Sequence, residues 1–79
     1  MSNEKQNLFT WNDLVKIKPN ATSFYLPGRI GVICGMEKVK SKELSNEFNV
    51  DIGDWIYTIE FGDGSSIEIP EKYLATHQE

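Results

Sequence analysis

The chain of 79 residues contains one cysteine, one histidine and three prolines. Cys34 has no partner for an internal disulfide, which excludes the cross-links of small secreted domains and favours a reducing compartment. No apolar run approaches the ~20 residues that a transmembrane helix needs, and the first residues lack the apolar run of a signal peptide. We therefore expect a cytoplasmic protein without a membrane partner.

Candidate catalytic and metal-binding residues are also few. His77 lies near the end of the sequence without an evident partner, and Cys34 falls among apolar residues, where burial makes a thiol inert. Asp51 and Asp54 could contact a cation, but their two carboxylates supply fewer oxygen ligands than the six to eight that calcium takes. We therefore interpret them as turn residues. We expect no enzymatic activity, no cofactor and no metal site.

The charge is divided unevenly along the chain, although the net charge is only −4. The part before Glu43 carries a net charge of +4, whereas the part from Glu43 onward carries −8. One surface of the folded protein should therefore be negative, which accelerates association with basic partners and opposes a phosphate backbone. Acidic residues that only promote solubility are the alternative.

The segment from Asp54 to Leu74 predicts a β-hairpin followed by one helical turn. Apolar residues alternate along a strand that begins at Trp55, and the alternation resumes at Ile67 after a glycine-rich reversal. Pro70 to Leu74 then favours a helical turn. The residues that share one face of the hairpin are Trp55, Tyr57, Ile59, Phe61, Ile67 and Ile69.

Two earlier strands and a fifth complete the predicted sheet. Polar and apolar residues alternate over Leu14–Lys18, which predicts a first strand with Val15 and Ile17 on one face. Pro27-Gly28 favours a type II turn before a second strand from Arg29 to about Val39. In the second strand we place Gly31 and Gly35 on one face, where glycine permits strong curvature or the close approach of another strand. The residues on the opposite face are Ile30, Val32, Cys34 and Met36. A fifth strand is expected near His77.

The remaining parts of the chain are less regular. Residues 1–10 are polar and without periodicity, which predicts a flexible N-terminal tail before a single domain over 11–79, with order beginning near Trp11. Ser41 could cap a short helix through Phe48, but we favour a loop over residues 40–53 that holds about one helical turn.

The C-terminal third resembles an SH3 domain, because a strand led by Trp55 and a second strand precede a helical turn with Pro70 and Tyr73. Gly28-Arg29-Ile30-Gly31-Val32 is similar to the corresponding strand of other SH3-like barrels, including the small all-β immunity proteins of bacterial polymorphic-toxin systems. The resemblance implies an all-β fold, a single SH3-like barrel of about five strands with one short helical turn near the C-terminus.

The charge pattern and this resemblance together suggest a non-enzymatic protein-binding module. The concrete hypothesis is an immunity protein or inhibitor that blocks a basic toxin or nuclease surface through an acidic face. Large aromatic side chains are common anchors of such contacts, and Phe24 or Tyr25 could join Trp55 and Tyr73 in an aromatic surface. The predicted partner-binding residues are Trp55, Glu60, Glu68, Glu71 and Tyr73.

Two alternatives remain open on sequence alone. The basic half could serve an RNA- or ribosome-associated SH3-like module, with Lys38, Lys40 and Lys42 on one side of an extended segment. The chain could instead be an accessory subunit that docks on a larger enzyme. The sequence leaves the oligomeric state open.

Overall fold

A computed structural model describes residues 6–77 of the chain. It contains five β-strands, one α-helix and two 3₁₀ turns. The strands are β1 (Leu14–Ile17), β2 (Ile30–Lys38), β3 (Trp55–Glu60), β4 (Ser66–Pro70) and β5 (Leu74–Thr76). The helix is α1 (Lys42–Phe48), and the 3₁₀ turns are Ser23–Tyr25 and Glu71–Tyr73.

All five strands form one antiparallel sheet in the order β4-β3-β2-β1-β5. This confirms the predicted all-β class, the hairpin of β3 and β4, the helical turn after Pro70 and the fifth strand before His77. Within residues 6–77, β4 and β5 are the two edges, and no strand pairing closes the sheet into a barrel.

One face of the sheet forms the main core. Tyr57 and Ile59 in β3 and Phe61 directly after it are buried, as the alternation predicted, and Trp55 is half-buried and packs against the core. We call this the inner face and the opposite one the outer face. Burial of these apolar side chains is the main source of stability in so small a domain. Other members of the core are Phe9, Val15, Ile17, Ala21, Ile33, Ile69 and Leu74.

The face predicted for the first half of β2 is wrong. Gly31 and Ile33 are the buried residues, whereas Ile30 and Cys34 are exposed. The register shifts by one residue between Ile33 and Gly35, so the alternation of side chains changes phase at a β-bulge. The glycine requirement is nevertheless confirmed at Gly31, because a Cβ atom there would lie 2.8 Å from the carbonyl oxygen of Glu60.

The N-terminal segment also differs from the expectation that order begins near Trp11. Phe9 is only 6% exposed and packs edge-on against Tyr57, with 5.5 Å between the ring centroids. An apolar side chain in a polar segment carries no periodic signal, so its burial could not be recognised from the pattern. Residues 1–5 of the predicted tail lie outside the described residues.

The segment between β2 and β3 forms a helix of two turns, the alternative that we did not favour. Ser41 caps α1 by accepting a 3.1 Å hydrogen bond from the N–H of Leu44. The helix ends at Asn49, whose φ of 55° is left-handed. None of the helices in residues 6–77 is long and apolar enough to span a bilayer.

Candidate functional site

A cleft of about 400 Å³ lies at the β4 edge of the sheet. Its walls come from three parts of the chain: the first 3₁₀ turn, the end of α1, and β4. Aromatic and aliphatic side chains supply most of the lining, and two carboxylates stand among them. We call it the acidic cleft; its lining residues are Phe24, Tyr25, Glu47, Phe48, Ser66, Ile67 and Glu68.

The first wall is a short turn that displays an exposed aromatic ring. The N–H of Tyr25 donates a 2.9 Å hydrogen bond to the carbonyl oxygen of Thr22, and Leu26 ends the turn with a left-handed φ of 60°. Phe24 is 77% exposed and packs edge-on against Tyr25 at 5.4 Å. Such a large exposed ring on a fixed turn is typical of a binding anchor.

The ring of Tyr25 also lies against Tyr73, with 5.5 Å between centroids. Phe24, Tyr25 and Tyr73 therefore form a continuous row of rings, which brings together three members of the predicted aromatic surface. Burial, the neighbouring Tyr73 and the carboxylate of Glu47 all raise the pKa of Tyr25. Glu47 is therefore close enough to act electrostatically on the Tyr25 phenol.

The second wall is the C-terminal end of α1. The Ser45 hydroxyl donates a hydrogen bond to the carbonyl oxygen of Val50, and the Val50 N–H returns one of 3.0 Å to the Ser45 carbonyl oxygen. These bonds fold the chain back after the helix and fix the turn that carries Glu47 and Phe48. Neither residue was among the predicted site residues. The capping serine at position 41 was the available signal, because it implies a helix through Phe48.

The third wall contains Glu68, a predicted binding residue. Glu68 is opposite Thr58 and Ser66 is opposite Glu60 in the β3–β4 pairing. Glu60 and Glu68 are therefore diagonal neighbours on the outer face, about 7 to 8 Å apart at their Cα atoms. Both are exposed, so the outer face of the hairpin carries an acidic pair that adjoins the cleft.

Glu71 has a different environment from Glu60 and Glu68. Its Oε2 accepts a 2.6 Å hydrogen bond from the Tyr57 hydroxyl and one of 3.0 Å from the N–H of Leu8. The carboxylate thereby ties the N-terminal segment to β3. Trp55 begins β3 opposite Lys38 and packs against the core. The structure does not place Glu71 or Trp55 in the lining of the acidic cleft.

The basic residues do not form the extended row expected from their spacing. β2 ends at Lys38 and α1 begins at Lys42, so Lys38, Lys40 and Lys42 do not belong to one strand. Near the row of rings, Lys72 donates a 3.0 Å hydrogen bond to the carbonyl oxygen of Asn49 and lies 5.2 Å from the Tyr73 ring centroid.

Two further sequence candidates, Asp51 and Asp54, have a structural role. The N–H of Asp51 donates a 3.0 Å hydrogen bond to the carboxylate of Asp54, which confirms their interpretation as turn residues. Across residues 6–77, no three His, Cys, Asp or Glu side chains lie close enough together to hold a metal ion.

Comparison with known proteins identifies no relative of this chain. No family model matches it, and no match is found among curated proteins or solved structures.

Proposed function

We propose that this chain is a non-enzymatic protein-binding module that holds a basic region of its partner in the acidic cleft. The observation that carries the proposal is the combination of an exposed aromatic lining with two carboxylates on separate walls. Phe24 and Phe48 offer apolar contact area, while Glu47 on α1 and Glu68 on β4 offer charge. Lysine and arginine side chains match this chemistry, because they join an apolar stem to a cationic head.

The charge around the cleft supports a basic partner over a nucleic acid. Glu60 extends the negative surface beyond Glu68 on the outer face of the hairpin. Exposed carboxylates attract a cationic partner over a distance and select against partners of like charge. A phosphate backbone would meet repulsion at this surface.

The more specific form of the proposal is an inhibitor or immunity protein that covers a basic toxin or nuclease surface in the cytoplasm. It is supported by the resemblance of the sequence to small all-β immunity proteins and by the order strand, turn, strand and 3₁₀ turn after Trp55. This order also supports an SH3-like fold. In this proposal Tyr73 supports the Tyr25 ring, Glu60 and Glu68 meet cationic groups, and Trp55 and Glu71 contribute at the margin of the contact.

A displayed library of random peptides provides a direct test. The wild-type chain should enrich sequences that combine lysine or arginine with apolar residues. Replacing both Glu47 and Glu68 by lysine should lower the affinity of a selected peptide by about tenfold or more per reversed charge, because attraction becomes repulsion. Isothermal titration calorimetry measures this change.

Glu37→Lys is the matched control, since Glu37 is an exposed acid on β2 that does not line the cleft. Its affinity for the same peptide should stay within about threefold of the wild type, the scale of an exposed charge outside the contact. Equal losses in the control and the cleft variant would refute the assignment of the cleft. Enrichment of acidic peptides, or of none, would refute the proposed function itself.

A further inference from the structure

The strand that forms one wall of the acidic cleft is also an edge of the sheet. Among residues 6–77, β4 pairs with β3 on one side only, and the sheet order places no strand on its other side. An edge strand presents unpaired N–H and C=O groups that can pair with another extended chain. In an antiparallel hairpin, opposed residues alternate between hydrogen-bonded and non-hydrogen-bonded pairs. This alternation determines which residues of β4 direct their N–H and C=O groups away from β3.

The hydrogen bonds at the turn of the hairpin show which pairs of opposed residues are bonded. The N–H of Phe61 donates a 2.9 Å hydrogen bond to the carbonyl oxygen of Ser65, so these opposed residues are a hydrogen-bonded pair. Bonded and non-bonded pairs alternate along an antiparallel ladder. Ile67 and Ile69 therefore bond to β3, while the N–H and C=O groups of Ser66 and Glu68 point away from the sheet.

These two outward-facing residues both line the acidic cleft. Neighbouring strands in a sheet lie about 4.8 Å apart, so the open space beside β4 is where an additional strand would lie. Pro70 limits the pairing at the other end, because it has no N–H to donate. The available edge thus offers two complete donor and acceptor pairs, at Ser66 and Glu68.

We propose that the partner's segment binds in the acidic cleft as an added β-strand on β4, with basic and apolar side chains in alternation. This inference rests on the proposed function and specifies its binding mode. Side chains on the outer face of the added strand would lie beside Glu68, with Glu60 one strand further on. Those on the opposite face would lie toward Ile67 and Tyr25, which pack against the core.

The charge on the edge decides against a second copy of the same chain. Two β4 strands related by a two-fold axis would bring two copies of Glu68 onto the same face of a continuous sheet, where like charges repel. The strand is also short and ends at a proline, features that protect edges from self-association. A strand with lysine or arginine beside Glu68 replaces this repulsion with attraction.

A peptide of alternating lysine and valine, seven residues long with lysine at both ends, is the first probe. In antiparallel addition, the residue opposite Glu68 exchanges both backbone hydrogen bonds with it and has its side chain on the same face. That residue is a lysine. N-methylation of the lysine amides should therefore lower affinity about tenfold per blocked bond site, whereas N-methylation of the valine amides should leave affinity within about twofold.

The reverse dependence would indicate parallel addition and would also support a strand on β4. Equal effects of the two methylation patterns would overturn the inference, as would equal affinity for a block peptide with four lysines followed by three valines. Failure of the alternating probe to bind, with library peptides still dependent on Glu47 and Glu68, would overturn strand addition and leave the proposed function intact.

A variant of the protein tests the same edge from the other side. Ser66→Pro removes an outward N–H that β3 does not use, whereas Ser66→Ala removes only the hydroxyl and keeps that N–H. The proline variant should bind the alternating peptide about tenfold more weakly than the alanine variant. In the wild type, the amide hydrogens of Ser66 and Glu68 should exchange more slowly once the peptide is bound; unchanged exchange at both positions would contradict the inference.

Discussion

The hydroxyl of Tyr57 donates a hydrogen bond of 2.6 Å to Oε2 of Glu71, and it also accepts one of 3.2 Å from the N–H of Phe9. The same Glu71 oxygen accepts the N–H of Leu8. A phenol from the middle of β3 and a carboxylate from the second 3₁₀ turn therefore hold the N-terminal segment in place. This arrangement gives Glu71 a role in the fold that its position in the acidic half of the chain did not indicate.

Replacing Tyr57 by phenylalanine should destabilise the protein by about 1–3 kcal/mol. The ring would stay in the core, but the buried N–H of Phe9 and the carboxylate of Glu71 would each lose a partner. Urea unfolding monitored by circular dichroism measures the change. Tyr73→Phe is the control, because the Tyr73 hydroxyl takes no part in the hydrogen bonds of Tyr57 with Glu71 and Phe9; an equal loss in both variants would contradict the role of the Tyr57 network.

The stability of the protein should fall as the pH rises above 10. Burial and the hydrogen bond to Glu71 raise the pKa of Tyr57 above its ordinary value of 10.0, and burial raises that of Tyr25. A phenol whose pKa is higher in the folded state contributes stability that is complete below the unfolded pKa and is lost as the pH rises from there through the folded pKa. Urea midpoints should therefore stay level from about pH 8 to 10 and decline toward pH 11, and the decline should be smaller in Tyr57→Phe.

Removing the Phe9 side chain should have the effect of a core substitution. We expect Phe9→Ala to cost about 3–5 kcal/mol, because it leaves a cavity against Tyr57. Its neighbour Leu8 is 71% exposed, and Leu8→Ala should change the free energy of unfolding by no more than about 0.5 kcal/mol. Similar small effects of both substitutions in thermal unfolding would mean that the domain does begin near Trp11.

The two glycines of β2 should respond differently to alanine. Gly31→Ala would push a methyl group against Ile59 and the Glu60 carbonyl oxygen, and we expect a loss of about 1–3 kcal/mol. At Gly35 the nearest atoms to an added Cβ belong to the Thr58 side chain at 3.4 Å, an ordinary contact. Gly35→Ala should therefore range from neutral to about 1 kcal/mol stabilising. Guanidinium unfolding of the two variants measures the change in the free energy of unfolding for each.

The sequence predicted local features well where a short pattern has a single physical meaning. The alternation in β3 and β4 requires one buried face, and a one-residue slip would expose it, so the hairpin was evident before the structure. The same rule failed in β2, because a bulge between Ile33 and Gly35 changes the phase without a residue type that announces it. A glycine in a strand can permit a bulge, curvature or the close approach of another strand. Only the position of the neighbouring strand shows which of these roles it has.

The candidate site was predicted in part. Phe24, Tyr25, Tyr73 and Glu68 were recognised as binding candidates from residue type and charge, and the structure brings these four close to the β4 edge. Glu47 and Phe48 were missed because their segment was interpreted as a loop. Charge counts also did not reveal that the Glu71 carboxylate accepts hydrogen bonds from Tyr57 and Leu8.

The sequence by itself determined the all-β class, the hairpin, the 3₁₀ turn after Pro70 and the acidic C-terminal half, since each depends on residues close together in the chain. Only the tertiary structure decided that Phe9 belongs to the core, that β4 is an edge and that Glu47 and Glu68 share a cleft. These relationships join residues far apart in sequence. They depend on the order and register in which the strands pair, and hydrophobic periodicity within one segment carries no information about that order.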